Sequence, residues 1–152
     1  MKDLKAKDIM KTDLITINEN VSVKEAAQIL LENKIGGAPV VNDDGDMVGI
    51  VTDSDLIMQD VKLHFPTYLH FLDSYIYLGS LKKFEDDLRK AVGANVKDVM
   101  AKDVVSVDEE DSIKDVATTL ADKKLSRVPV LKGEELVGII TKTDIMKIVA
   151  KS

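Results

Sequence analysis

Two stretches of the chain share one succession of apolar and polar positions. Each begins with a short β-branched stretch, residues 14–17 or 104–107, and continues with a segment whose apolar residues recur at the helical period. The apolar positions are Val23, Ala26, Ala27 and Leu30 in the first segment and Ile113, Val116, Ala117 and Leu120 in the second. Ser22 with Glu25, and Ser112 with Asp115, have the spacing of a helix cap. The pattern therefore predicts a strand and then an amphipathic helix in each stretch.

The residues that follow each predicted helix indicate a hairpin and a second helix. Strands are predicted at 38–41 and 47–51, joined by a tight turn at Asp44 and Gly45. The second stretch repeats this at 128–131 and 136–140, with the turn at Gly133. A helix is then predicted to begin at Thr52 or Thr141. Each stretch thus has the order β-α-β-β-α.

The two stretches are copies of one sequence. "KDIM" at 7–10 returns as "KDVM" at 97–100, and "KIGGAPVV" at 34–41 returns as "KLSRVPVL", both displaced by 90 residues. "VGIVTDSD" at 48–55 returns as "VGIITKTD" at 137–144, displaced by 89, so one residue is lost at the hairpin turn. One copy of about 50 residues buries too little apolar surface alone. We therefore expect an α+β fold in which the two copies pack with pseudo-twofold symmetry.

The expected division of the chain is 1–61 for the first copy, 62–96 for an insert and 97–152 for the second copy. All the aromatic residues and both histidines, His64 and His70, lie within 62–96. Apolar spacing there predicts two short helices separated at Gly79 and Ser80. Two interpretations stay open: the aromatics pack over the repeats, or they form an apolar patch for dimerisation or a partner.

Composition excludes several classes of function. The 152 residues include no cysteine, so disulfides and thiolate metal sites are excluded, and the net charge of −6 argues against binding nucleic acid. No apolar run approaches membrane-spanning length and the N-terminus has no signal-peptide pattern, so we expect a soluble, cytoplasmic protein. No phosphate-binding loop, histidine metal pair or nucleophile–base pair stands out. We expect no enzyme activity, no metal and no cofactor.

The sequence Thr-x-x-Asp directly follows the last strand of each copy, and two interpretations of it are open. It is the sequence of a capping box, in which Thr52 and Asp55, or Thr141 and Asp144, satisfy the first amides of a helix. It also suits a ligand, because a helix N-terminus attracts phosphate and a carboxylate can accept both hydroxyls of a ribose. A glycine before each motif allows something to approach the backbone. Spacing alone does not decide between these interpretations.

The duplicated combination of an apolar residue before Pro-Val, a glycine in the last strand and a trailing Thr-x-x-Asp resembles the cystathionine β-synthase (CBS) domain. Two in tandem resemble a Bateman module, over residues 7–60 and 97–149. The resemblance implies clefts that bind adenosine ligands: AMP, ADP or ATP, or else S-adenosylmethionine or a cyclic dinucleotide. It assigns one nucleotide cleft to Thr141, Thr143, Asp144, Arg127, Ile139, Ile15, Ile35 and Gly36.

The second cleft implied by the resemblance consists of Thr52, Ser54, Asp55, Ile50, Val105, Leu125 and Ser126. Members of the family that bind nucleotides often carry an arginine two residues before the proline, where it grips phosphate. Here the second copy has Arg127 and the first has Gly37. The Asp144 cleft is therefore expected to take a charged nucleotide, and the Asp55 cleft a weaker or more neutral ligand.

The resemblance also implies a role and an assembly. The main hypothesis is a regulatory module that senses an adenine nucleotide and signals its occupancy to an unknown effector protein. The alternative is a scaffold that only dimerises, with vestigial clefts. Such modules usually pair through their trailing helices, so we expect a homodimer. The apolar residues expected on those helices are Leu56, Ile57, Ile145, Met146, Ile148 and Val149.

Overall fold

The structure is a computed structural model, and it describes residues 3–57 and 94–152. The elements of the first repeat are α1 (Ala6–Ile9), β1 (Ile17–Asn18), α2 (Val23–Glu32), β2 (Gly37–Val41), β3 (Met47–Thr52) and α3 (53–57). Those of the second are α4 (Val96–Val99), β4 (Val107–Asp108), α5 (Ile113–Asp122), β5 (Arg127–Lys132), β6 (Glu135–Thr141) and α6 (Lys142–Lys151). The predicted order β-α-β-β-α is confirmed in both repeats. The helices, aromatics and histidines predicted between 62 and 92 lie outside the described residues.

Each repeat builds a three-stranded mixed sheet, in the orders β1-β2-β3 and β4-β5-β6. The first strand of each sheet is parallel to its neighbour and the hairpin is antiparallel. The strands predicted at 14–17 and 104–107 are wrong in extent, because only Ile17–Asn18 and Val107–Asp108 pair. One residue earlier, the parallel register reaches Pro39 or Pro129. A proline has no N–H to donate to the ladder, and pairing stops there.

The predicted caps and turns are confirmed. The Ser22 hydroxyl accepts a hydrogen bond from the Glu25 amide and the Ser112 hydroxyl from the Asp115 amide, each at 3.1 Å. The hairpins turn at Gly45 (φ 86°) and at the equivalent glycine, position 133 (φ 62°). Both glycines adopt the left-handed region, which costs other residues more. The sequence signals at these positions therefore act as expected.

The chain divides into two compact units that do not coincide with the repeats. The first-repeat unit spans Thr16–Lys102, and the second-repeat unit joins Met1–Ile15 to Asp103–Ser152. Residues 3–15, which the predicted division placed with the first copy, therefore pack with the second. We call residues 3–15 the N-terminal arm and residues 94–102 the central arm. The N-terminal arm precedes the first repeat but packs with the second, and the central arm precedes the second repeat but packs with the first.

Each arm attaches through its short helix and the residues beside it. The amides of Ala6 and Lys7 donate to the carbonyls of Asp111 and Glu109, at 2.8 and 2.9 Å. In the first-repeat unit the amides of Val96 and Lys97 donate in the same way to residues 21 and 19. Ala6 and Val96 are fully buried in the cores of the units that receive them. The arms are therefore integral parts of the two cores.

Charge distinguishes the two attachments. The Nζ atoms of Lys5 and Lys7 each lie 2.7 Å from a carboxylate oxygen of Glu110, and these lysines hold the pKa of Glu110 at about 2, below its usual 4.5. The equivalent of Glu110 in the other unit is Asn20, whose side-chain oxygen accepts from Lys97 Nζ at 3.3 Å. The N-terminal arm is thus attached by a salt-sensitive ion pair and the central arm by a neutral acceptor.

Glu110→Gln is expected to remove an acid-sensitive part of the stability. A carboxylate whose folded pKa is lowered stabilises the fold above its unfolded pKa, and this contribution is lost as pH falls from about 4.5 to about 2. Unfolding curves at pH 7, 4.5 and 3 should show the wild type and the variant converging, and added salt should narrow their difference at pH 7. Glu134→Gln, in the exposed β5–β6 turn, is the matched control. A gap between wild type and Glu110→Gln that is independent of pH would contradict the assignment.

Candidate functional site

Both Thr-x-x-Asp motifs form complete capping boxes. Asp144 Oδ2 accepts from the amide of Thr141 at 2.9 Å and from its hydroxyl at 3.0 Å, and the Asp144 amide donates back to that hydroxyl at 3.2 Å. Thr52 and Asp55 repeat the arrangement at 2.9, 3.1 and 3.3 Å. The capping interpretation of the motif is therefore confirmed at both positions. It uses only one of the two oxygens of each carboxylate.

The remaining oxygen of Asp144 faces a lysine of the N-terminal arm. Lys11 Nζ lies 3.5 Å from Asp144 Oδ1, in a pair where the aspartate side chain is 8% exposed and the lysine 54%. The backbone of Lys11 is held on the edge of β6 by two hydrogen bonds with Ile139, of 2.9 and 3.0 Å. Asp144 thus combines a buried, cap-oriented carboxylate with one oxygen that still has lone pairs available.

The first-repeat unit has the same backbone arrangement without the cation. Ala101 exchanges two hydrogen bonds with Ile50, of 2.9 and 3.0 Å, just as Lys11 does with Ile139. Its methyl side chain cannot reach Asp55 as a lysine would. Among the residues that the structure describes, no ion pair involves Asp55.

The glycine before each motif admits a methionine of the arm. A Cβ at Gly138 would contact Sδ, Cγ and Cβ of Met10, and a Cβ at Gly49 would lie 2.6 Å from Met100 Sδ and 2.8 Å from the Ala101 carbonyl oxygen. The sequence suggested that these glycines leave room for a ligand, and the structure shows another group against the backbone there. What approaches is the side chain that precedes Lys11 or Ala101, so these glycines bring the arms against the strands.

Arg127 and Gly37 occupy equivalent places beside the motifs. Arg127 pairs with Thr141 across the β5–β6 ladder, and Gly37 pairs with Thr52 across β2–β3. Directly opposite residues of an antiparallel pair project on the same face. The predicted difference between the two copies therefore lies at the N-terminus of the helix that follows each Thr.

A third difference between the two copies also makes the second copy more positive. The first helical residue after Thr141 is Lys142, and after Thr52 it is Asp53, whose carboxylate accepts from the Ser54 amide at 2.7 Å. An acidic residue is favourable at a helix N-terminus and a basic one is not. Lys142 thus sits where local helix energetics disfavours it. At three equivalent positions the Asp144 motif is accompanied by Lys11, Arg127 and Lys142, a total charge of +3, and the Asp55 motif by Ala101, Gly37 and Asp53, a total charge of −1.

Two further predicted residues, Ile35 and Leu125, are positioned by the C-termini of the helices α2 and α5. The amides of Ile35 and Leu125 donate to the carbonyls of Leu30 and Leu120, at 3.0 and 2.9 Å, after a residue with φ 55° in each case. This is the Schellman arrangement, which reverses the chain sharply. Ile35 and Leu125 both pack against the core of their own unit.

The carbonyls of Gly36 and Ser126 accept from the first helical amides. Gly36 O accepts from the Asp53 amide at 2.8 Å, and Ser126 O accepts from the Lys142 amide at 2.9 Å. These two predicted residues therefore lie at the helix N-terminus of their own unit. Ser54 and Thr143 lie in the first turns of α3 and α6 with exposed side chains. Ile15, Ile50, Val105 and Ile139, which the predicted sets also include, are half-buried.

The structure brings together, within the second-repeat unit, the motif residues Thr141 and Asp144 and the backbone of Arg127. Ile139 joins them through its pairing with the N-terminal arm. Ile35 and Gly36, assigned to the same ligand by resemblance, belong to the first-repeat unit. Sequence reasoning missed Lys11 and Lys142. The signal was present, because "KDIMK" against "KDVMA", and "TKTD" against "TDSD", differ in charge at those positions.

Known proteins match this chain along most of its length. The family model described as CBS domain matches residues 6–61 and 96–151. The uncharacterized protein MJ1426 of Methanocaldococcus jannaschii is 31% identical over 149 residues, 93% of this chain and 88% of that protein. CBSX1, a chloroplastic CBS domain-containing protein of Arabidopsis thaliana, is 30% identical over 90% of this chain and 59% of its own length. The chain spans 33% and 41% of two further relatives, MJ1404 and MJ1225.

Solved structures agree with this assignment. CBSX2 in complex with AMP superposes with a TM-score of 0.73 at 25% identity, covering 97% of this chain and 96% of that one. The CBS domain pair of MJ0100, in complex with 5′-methylthioadenosine and S-adenosyl-L-methionine, gives 0.70 at 25% identity and covers 97% of both chains. In the described part of the chain, no helix is long and apolar enough to cross a membrane. The chain belongs to the CBS domain family and carries the domain twice, as a tandem pair.

Proposed function

We propose that this CBS pair is a regulatory module that binds a phosphorylated adenosine ligand, AMP, ADP or ATP, at the Asp144 motif. Occupancy would be signalled to an effector protein, and the chain itself would carry out no chemistry. The observation that carries the proposal is the difference in charge between two copies of one motif. Lys11, Arg127 and Lys142 accompany Asp144, whereas Ala101, Gly37 and Asp53 accompany Asp55.

The geometry of the capping box supports a role in binding ribose. Because Oδ2 of Asp144 is held by the amide and hydroxyl of Thr141, the carboxylate is preorganised and its Oδ1 atom has a fixed direction. Hydroxyl donors to a carboxylate form charge-assisted bonds, which are stronger than neutral ones. A ribose diol offers two such donors. The capping and binding interpretations are therefore compatible, since each uses a different oxygen.

Other predicted residues enter the proposal with lesser roles. Thr143 and Arg127 would contact phosphate, and Ile15 and Ile139, which belong to the same unit, would lie against the adenine. The Asp55 motif, with Ser54 and with no ion pair among the described residues, would take a more neutral ligand. Methylthioadenosine and S-adenosylmethionine, present in the MJ0100 structure, are ligands without phosphate. They are the natural competitors to test at that second position.

Calorimetric titration with AMP, ATP, adenosine and S-adenosylmethionine tests the proposal. The wild type should bind AMP or ATP more tightly than adenosine, and mass spectrometry of the protein as purified should identify any adenosine ligand it retains. Absence of binding to all four ligands would contradict the proposed function and favour a scaffold with vestigial clefts.

The proposal includes a homodimer formed through the trailing helices. Ile57 in α3 and Met146 and Val149 in α6 are 59%, 63% and 50% exposed, and they are three of the five large apolar side chains that are exposed among the described residues. The expectation that Leu56 contributes to this surface is wrong, because Leu56 is buried in the core of its own unit. The surface that remains available for dimerisation is therefore smaller than predicted from sequence.

Met146→Glu is expected to shift the protein from dimer to monomer, because burying a carboxylate in an apolar interface has a high desolvation cost. Light scattering at tens of micromolar, with the wild type beside the variant, measures this. Leu31→Glu is the matched control, since Leu31 is 78% exposed on α2 and is not assigned to the interface. A wild-type monomer, or a dimer that tolerates Met146→Glu, would contradict the assembly.

A further inference from the structure

Asp144 has one oxygen committed to the cap and one that faces the ammonium of Lys11. Oδ1 lies 3.5 Å from Lys11 Nζ, which is longer than a strong charge-assisted hydrogen bond. The lysine backbone is held by its two bonds to Ile139, but its side chain is half exposed. A lysine carries its charge on a flexible four-carbon stem. Its ammonium can therefore leave Asp144 without any change in the backbone.

We propose that Lys11 is the residue that sets the preference of the Asp144 site for phosphorylated over uncharged adenosine ligands. The inference rests on the proposed function and deepens it. In the empty site the ammonium neutralises the buried carboxylate. When a ribose takes Oδ1, the ammonium is displaced and turns to a phosphate of the same ligand. An uncharged nucleoside displaces the ammonium without giving it a new partner, and it binds more weakly for that reason.

The first-repeat unit provides an internal comparison for this role. Ala101 occupies the position of Lys11, with the same pair of backbone hydrogen bonds to the strand edge. The backbone hydrogen bonds that hold Lys11 are therefore reproduced at Ala101, and the two positions differ in their side chains. A position that served only to attach the arm would have no need of a cation in one copy.

The charge of the first helical residue after each cap also favours a phosphorylated ligand at the Asp144 motif. Lys142 at the start of α6 opposes the helix dipole, and Asp53 at the start of α3 complements it. A residue that breaks a local rule is expected at functional sites. With Lys11 added, an anion at the N-terminus of α6 meets two lysines, and one at the N-terminus of α3 meets a carboxylate.

The test compares the ratio of AMP affinity to adenosine affinity in single-site proteins. In an Asp55→Ala background, Lys11→Met, which keeps the length of the side chain and removes its charge, should lower the ratio about ten-fold. It should also flatten the dependence of AMP affinity on salt. Lys11→Arg should preserve the ratio. In an Asp144→Ala background, Ala101→Lys should raise the ratio at the Asp55 site. Thermal unfolding of each variant verifies its fold.

Each outcome has a distinct meaning. The inference would be overturned if Lys11→Met weakened the binding of AMP and of adenosine equally, or if it left the affinity ratio and the salt dependence unchanged. Either result would leave the proposed function intact. The inference would be supported if Lys11→Met lowered the ratio of AMP affinity to adenosine affinity and Lys11→Arg kept the wild-type ratio. If the Asp55→Ala protein with Lys11 intact binds neither ligand, the proposed function of the Asp144 site fails, and the role of Lys11 falls with it.

Discussion

Asp144→Ala is expected to weaken adenosine binding about ten- to a hundred-fold for each hydrogen bond lost from the ribose to the carboxylate. The reason is that charge-assisted hydrogen bonds contribute about 1.5–3 kcal/mol each. The loss for AMP should be similar to that for adenosine, because the Lys11 ammonium already contacts the phosphate in the wild-type complex and both ligands lose the same bonds to the carboxylate. Calorimetric titration with both ligands measures the two losses.

The capping role of Asp144 adds a second, separable effect. Removing the side chain also removes the bonds to Thr141, which is expected to cost about 0.5–2 kcal/mol of folding free energy. Asp55→Ala is the matched control, since Asp55 makes the same capping box. It should lose a similar amount of stability but little affinity for AMP. If Asp144→Ala binds AMP and adenosine as tightly as the wild type, the motif is a helix cap alone.

Gly138→Ala is expected to destabilise the second-repeat unit by about 1–3 kcal/mol, the usual cost of overpacking. Strand propensity alone predicts the opposite sign, because glycine inside a strand is less favourable than alanine. The contact decides the sign here: the new methyl group would overlap Sδ, Cγ and Cβ of Met10. Denaturant unfolding measures the loss. The affinity for AMP should fall as well, because Lys11 follows Met10 in the displaced arm.

A double-mutant cycle identifies the arm as the cause. Met10→Ala removes Sδ and Cγ, so Gly138→Ala should cost less in that background. The equivalent pair in the first-repeat unit, Gly49→Ala with Met100→Ala, should recover less. There the Ala101 carbonyl oxygen lies 2.8 Å from the new methyl group and remains in place. Additive effects of Gly138→Ala and Met10→Ala would show that the contact is not responsible.

The repeat made the fold predictable from sequence. Two copies of one apolar pattern, with turn and cap residues at equivalent offsets, specified the order β-α-β-β-α twice and placed Gly45, Gly133, Ser22 and Ser112 correctly. These features are local, since they depend on residues within a few positions of one another. The extents of β1 and β4 were less predictable, because their ends depend on prolines that belong to a neighbouring strand.

What only the tertiary structure decided is which segments lie against the Thr-x-x-Asp motifs. Local patterns placed a capping box at Thr141 and Asp144, but they did not indicate that residues 3–15 pack with the second repeat. That choice depends on burying Ala6 in a distant core and on fitting Met10 against Gly138. Both contacts are between residues more than 100 positions apart in sequence. Because of them, Lys11 lies beside Asp144, and the two copies of one motif differ in charge where a ligand would bind.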